Sequence, residues 1–251
     1  MYTKEYVKNP EYISVKGFEV PIPLPRKPKL SEFRNYGLPV EQQKFKRDEI
    51  PDDIYSWENI KYNQFVEEQW HKRKNGEWWL IKGQQVYVTG TAWLFFNHWE
   101  TERGGKPDFR MEAVNWFLVW DFVKQDPNCF GMLDFKGRRQ GDTEKALCAG
   151  WEMTTRYRES LFGMQNIIEE DARTNFKRIV NANAEMPAWF KPINRGQDRP
   201  EKALDFRLPS QTVSAKSLSE DSRKSKTTRH ELRSRIDYKA TKLRSYDGKR
   251  L

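Results

Sequence analysis

Cysteine and histidine are scarce in this sequence, with two of the first and three of the second among 251 residues. Cys129 and Cys148 stand in apolar surroundings without CxxC spacing, which excludes a disulfide framework and a zinc set and points to a reducing compartment. Long apolar runs are missing as well. No window approaches the roughly 20 apolar residues that span a bilayer, and the charged start Met1 to Lys8 lacks the apolar stretch of a signal peptide. The expectation is a soluble, intracellular protein with no membrane partner. Core-forming material is plentiful: a content of 37% hydrophobic and 14% aromatic residues is ample for one large or two small domains.

Charge of one sign is also scarce over most of the chain. The formal charge is +9, but from Arg223 to Arg250 eleven Lys or Arg face three acids, Glu231, Asp237 and Asp247, so this stretch carries +8 and residues 1 to 222 only about +1. Such a patch steers toward phosphate-rich partners. Arg223, Lys224, Lys226, Arg229, Arg233 and Arg235 are the candidate contacts to DNA or to a neighbouring subunit. The plain alternative is a solvated basic tail.

Three regions follow from composition. Seven of the thirteen prolines fall between Pro10 and Pro51, which excludes regular helix and central strand there, so residues 1–54 read as an extended arm. Residues 55–128 form an aromatic-rich lead segment holding eight of the ten tryptophans, with helical spacing at Val114, Phe117, Leu118 and Phe122. Core packing is the expected role of those tryptophans. Residues 129–251 have the rhythm of an α/β domain. The apolar run Cys129 to Leu133 predicts a buried strand, Thr143 to Tyr157 a helix, and Leu161 to Ile168 a second strand. A helix then opens at Glu169, Glu170 and Asp171 and stops near Pro187. Strand pairs are predicted at 203–208 and 211–215 and a last strand at 235–241, with a polar Ser, Lys and Arg loop between.

The segment with chemical content is Lys136-Gly137-Arg138-Arg139-Gln140-Gly141-Asp142-Thr143. A strand, a tight loop and a helix start is the arrangement in which backbone N–H groups and a helix dipole hold phosphate. Against GxxxxGK[ST], Gly141 and Thr143 match, while Lys136 and Asp142 stand where glycine and lysine are usual. Taken alone, the pattern is weak and fits a basic surface turn before an amphipathic helix better than a phosphate loop.

The loop resembles the variant Walker A of phage terminase large subunits, the ATPases that package DNA, in which an arginine-rich loop replaces the glycine-rich one. Pro107-Asp-Phe-Arg110 and the aromatic helix after it resemble the terminase segment that holds adenine. Ile236-Asp-Tyr-Lys-Ala-Thr241, running into Tyr246-Asp247-Gly248, resembles the stretch before the terminase Walker B strand. The order of these elements covers roughly residues 85 to 251.

The resemblance implies an α/β fold of the P-loop NTPase (RecA/ASCE) type, with a mostly parallel sheet and flanking helices, incomplete at the C-terminus and preceded by the aromatic-rich helical segment. It implies ATP and Mg²⁺ as cofactors. Lys136, at the start of the loop, would reach the β and γ phosphates, with Lys145 as the rival lysine, and Thr143 would supply a hydroxyl to Mg²⁺. Gly137, Gln140, Gly141 and Asp142 would complete the nucleotide loop, and Arg138 and Arg139, the latter the better match, would stabilise the transferred phosphoryl group. Asp142 repels a triphosphate unless Arg138, Arg139 or Mg²⁺ compensates. Phe109 and Arg110 would flank adenine, with Tyr87 or Phe96 as stacking partner.

In the whole protein the partners implied are double-stranded DNA, the portal protein, the small terminase subunit and copies of itself in a ring, in the cytoplasm of an infected bacterial host. No acidic strand follows Asp247 before Leu251, so this polypeptide alone is expected to hydrolyse ATP negligibly, without the coupling motif or nuclease domain. The alternatives are another P-loop nucleic-acid translocase, or a non-enzymatic basic DNA-binding virion protein.

Overall fold

A computed structural model describes residues 11–15, 18–22, 24–29, 60–81, 83–134, 141–192, 199–206 and 232–240. The chain divides into two compact units, one of Met1–Trp99 with Gly105–Lys145, the other of Glu100–Gly104 with Ala146–Leu251. Among the described residues the architecture is α/β with small sheets: two antiparallel pairs in the first unit and one mixed three-stranded sheet in the second. No helix among the described residues is long and apolar enough to cross a membrane.

In the first unit, strands β1 (Glu11–Val15) and β2 (Phe18–Ile22) pair antiparallel, with Pro21 opposite Tyr12. A two-stranded ribbon consists of edges, which is where a strand tolerates proline. Helix α1 (Ile60–Asn75) places Lys72, Arg73 and Lys74 in its last turn, at the negative end of the dipole. Gly76, at φ +70°, terminates it with an N–H to Lys72 carbonyl bond of 2.7 Å. Strands β3 (Glu77–Ile81) and β4 (Gln84–Val88) follow as a hairpin.

Helix α2 (Gly90–Asn97) is capped by Thr89, whose hydroxyl accepts from the Ala92 N–H, and every one of its residues is buried. A helix apolar all round belongs in a core. Its Phe96 packs on Trp79 and its Phe95 on Phe117 of helix α3 (Met111–Val123), which has Ala113, Val114, Phe117 and Leu118 buried. Of the tryptophans, Trp79, Trp93 and Trp99 are fully buried in this core.

A polar clamp joins α2 to α3. The Thr91 hydroxyl donates to Asp121 Oδ1 at 2.7 Å, and Lys124 forms an ion pair with the same carboxylate. Burial alone would raise the Asp121 carboxyl. The Lys124 charge and hydrogen bonds from Lys124, Thr89 and Thr91 outweigh it and hold the group below its ordinary value.

The strand predicted at Cys129–Leu133 is not formed. The segment has no regular structure, and Phe130 and Leu133 lie on the surface. An apolar run becomes a strand only when a neighbour supplies its backbone partners, and among the described residues none does.

The second unit takes most of helix α4 (Asp142–Arg156), then β5 (Leu161–Asn166), α5 (Glu169–Glu185), β6 (Ala203–Phe206) and β7 (Ser234–Ala240). Strand β7 is central, parallel to β5 and antiparallel to β6. Parallel neighbours need a long crossover, and α5 lies within it. Its buried face, Ala172, Phe176, Ile179, Val180 and Asn183, has helical spacing, and Phe176 meets Tyr238 of β7 at 5.3 Å.

Helix α4 packs against β5 where Gly150 leaves room for the Phe162 ring, and against α5 where Trp151 Nε1 donates to Asn183 Oδ1 at 2.9 Å. The buried Ser234 hydroxyl donates to the Tyr157 carbonyl at 2.7 Å and accepts the Ser160 N–H at 3.1 Å, tying the starts of β5 and β7 together.

Candidate functional site

The candidate loop runs into the start of α4 at Asp142. Gly141 has φ +74°, and its carbonyl accepts the Lys145 N–H at 3.3 Å, the first bond of the helix. A Cβ there would meet nothing within 4 Å, so torsion and not space calls for glycine. The first N–H groups of a helix have no partner inside it and carry the positive end of its dipole. Lys136, Gly137, Arg138, Arg139 and Gln140 themselves lie outside the described residues.

Asp142 opens the helix as a buried carboxylate, and its compensating cation is Lys145, three residues on and also buried. The pair answers the electrostatic objection to Asp142: its charge is neutralised within α4 instead of opposing an incoming anion. It also gives the rival lysine a defined place. Lys145 is paired with Asp142 and sits over the Trp116 ring, 5.5 Å from its centroid. Thr143 is half-buried in the same turn, while Glu144 accepts a 3.0 Å bond from Trp99 Nε1.

The adenine candidates belong to the core of the first unit. Phe109 is half-buried and packs on Phe96 at 5.2 Å and Trp79 at 6.1 Å. Phe96 is buried, and buried Tyr87 donates its hydroxyl to the Asn75 carbonyl. Arg110 is exposed and caps α3, its carbonyl accepting from Ala113 at 3.1 Å and Val114 at 3.2 Å. Stacking of a base on Tyr87 or Phe96 would require these core contacts to open.

In the basic segment, Arg223, Lys224, Lys226 and Arg229 lie outside the described residues. Arg233 is exposed at φ +55°, and Arg235 Nε donates to the buried Asp237 carboxylate at 3.1 Å. Glu169, Glu170 and Asp171 form the exposed first turn of α5.

Sequence reading overlooked two features of the loop's surroundings. The Asp142–Lys145 pair had a visible signal in its i, i+3 spacing. The bond from Trp116 Nε1 to Asp134 Oδ2, 3.1 Å long and spanning 18 residues, had none.

For a magnesium nucleotide, the chemistry at the head of α4 is suitable: the N–H groups of a helix N-terminus, a threonine hydroxyl as a hard oxygen donor, and an acid whose charge is already balanced. No protein-family model, no curated protein and no solved structure matches this chain.

Proposed function

We propose that this chain is the ATP-binding part of a phage terminase large subunit, holding Mg-ATP on a variant phosphate loop at residues 136–143 to power the packaging of double-stranded DNA. The observation that carries the reading is the left-handed Gly141 leading directly into α4, at the position where the sequence resembles the terminase loop. The parallel pairing of β5 with β7, with α5 in the connection, supports a P-loop type of α/β fold. In this reading Lys136 binds the β and γ phosphates, Thr143 holds Mg²⁺, and Arg138 and Arg139 face the transferred phosphoryl group. Mg²⁺ would neutralise phosphate charge. The basic segment around Arg223 to Arg235 would contact duplex backbone or a neighbouring subunit of the packaging ring, in the infected cell.

One observation favours a second reading, a non-enzymatic virion protein that contacts DNA: no strand forms at Cys129–Leu133 ahead of the loop. Thr143→Val separates the two. Valine keeps the shape and removes the hydroxyl, so the gain in ATP affinity that Mg²⁺ gives the parent should shrink by about tenfold, ~1.4 kcal/mol. Titrations in Mg²⁺ and in EDTA measure it. An undiminished Mg²⁺ effect in Thr143→Val contradicts the assignment, and duplex binding without any nucleotide binding selects the second reading. Duplex binding itself should weaken steeply with salt and ignore sequence.

A further inference from the structure

The hairpin β3–β4 has two faces, because successive side chains of a strand point to opposite sides. Trp79 goes to one side, into the core against Phe96. On the other side Trp78 stands opposite Tyr87 in the register, with their rings 5.5 Å apart. Leu118 of α3 is buried against Tyr87 there, and Val119 and Phe122 pack alongside. The result is an aromatic and aliphatic face, and part of the proline-rich arm lies on it.

That part is Leu24 to Lys29, which belongs to no helix or strand. Leu24 is the anchor, buried against Tyr87 and Leu118. Pro25 and Pro28 are half-buried three residues apart, while Arg26, Lys27 and Lys29 are exposed. A three-residue repeat is the period of an extended polyproline segment, whose shape is largely fixed before it docks. Two polar contacts set its register. Gln85 Nε2 donates to the Pro28 carbonyl at 3.0 Å, and the Lys27 ammonium lies 5.5 Å from the centroid of the Trp78 ring. An apolar anchor, paired prolines, a bond to a backbone carbonyl and a cation on an aromatic ring are the means by which aromatic grooves take proline-rich peptides.

We propose that this face is a recognition surface for a Leu-Pro-x-x-Pro segment, filled in each chain by its own residues 24–29 and able to take the same segment from a second copy. A second copy carries the identical sequence and can make the identical contacts. Tethering alone favours the resident segment, since a linked ligand acts at a high effective concentration. The inference does not depend on nucleotide binding.

The test uses the full chain and, as the probe, a labelled peptide of residues 21–29 followed by fluorescence anisotropy. In Leu24→Asp the resident segment would bury a charge among apolar groups, so it should leave the face. The peptide should then bind saturably, at least about tenfold tighter than it binds the parent. A peptide that itself carries Leu24→Asp should not bind. Trp78→Ala added to the Leu24→Asp chain should weaken the peptide by roughly fivefold to tenfold.

Thermal unfolding is followed beside each titration. Lys27→Ala in the chain alters only an exposed side chain of the resident segment, and it should place the peptide affinity between those of the parent and Leu24→Asp. This variant decides the matter if Leu24→Asp fails to unfold cooperatively. A peptide that binds no folded variant more tightly than the parent, or one that binds equally well with Leu24→Asp in its own sequence, overturns the proposal.

Discussion

Replacing Asp121 by alanine is expected to destabilise the first unit by about 3–5 kcal/mol, because it leaves the Lys124 ammonium in a buried setting without its carboxylate. Thr91 and Lys124 both converge on this one group, so its loss undoes the polar joint between α2 and α3 in a single step. Eight of the ten tryptophans precede residue 145, so the fluorescence change in a denaturant titration reports chiefly this unit. A midpoint within about 1 kcal/mol of the parent would mean that the joint adds little to the fold.

The same group sets an acid sensitivity. Its folded value lies below the ordinary 3.8, so the carboxylate is favoured in the folded state. The stability this contributes is fully present above 3.8 and is lost as pH falls through the depressed folded value. Asp121→Asn should lack that component and show a flatter decline in acid.

A second large effect is expected at Gly90. A Cβ there would stand 2.0 Å from the Arg73 carbonyl oxygen and 2.8 Å from the Arg73 carbonyl carbon, both backbone atoms at the end of α1 that no rotamer change can move aside. Gly90→Ala must separate α1 from α2, with an expected cost of about 3 kcal/mol or more. Gly83→Ala is the control. Its φ of +78° strains any side chain, but nothing lies within 4 Å, so torsion alone should cost about 1 kcal/mol. Equal midpoints for the two variants would refute the close contact between the helices.

The contrast between these residues and the loop shows which parts of the molecule were legible in the sequence. Helices α4 and α5 were readable to within about two residues because their signals are local: the apolar spacing of Phe176, Ile179 and Val180, the acids at Glu169 to Asp171, and a stop near Pro187. Strand β5 was readable, but the apolar run overshoots it. Its ladder ends where Asn166 meets Ala240, and Ile167 and Ile168 continue exposed beyond it.

The run Cys129 to Leu133 has the same composition as a strand and is not one, since pairing is decided by a neighbour that the run does not encode. Helix α1 escaped for the opposite reason: its buried face is only Phe65, Val66, Gln69 and Arg73, too polar to read as a stripe. At the candidate site, glycine at 141 and a helix from 143, one residue after its actual start, were both visible. The balancing of Asp142 by Lys145 follows from their i, i+3 spacing within α4, whereas the Trp116 bond to Asp134 is a packing fact that depends on α3 lying beside Asp134.

The most direct test of nucleotide binding is a calorimetric titration of Mg-ATP into this chain and into Lys136→Ala. Saturable binding by the parent, weakened roughly 100-fold by the substitution, ~2.7 kcal/mol, is the expected result. A folded parent that gives no heat of binding, or a Lys136→Ala variant that binds as tightly as the parent, would contradict a phosphate loop at residues 136–143.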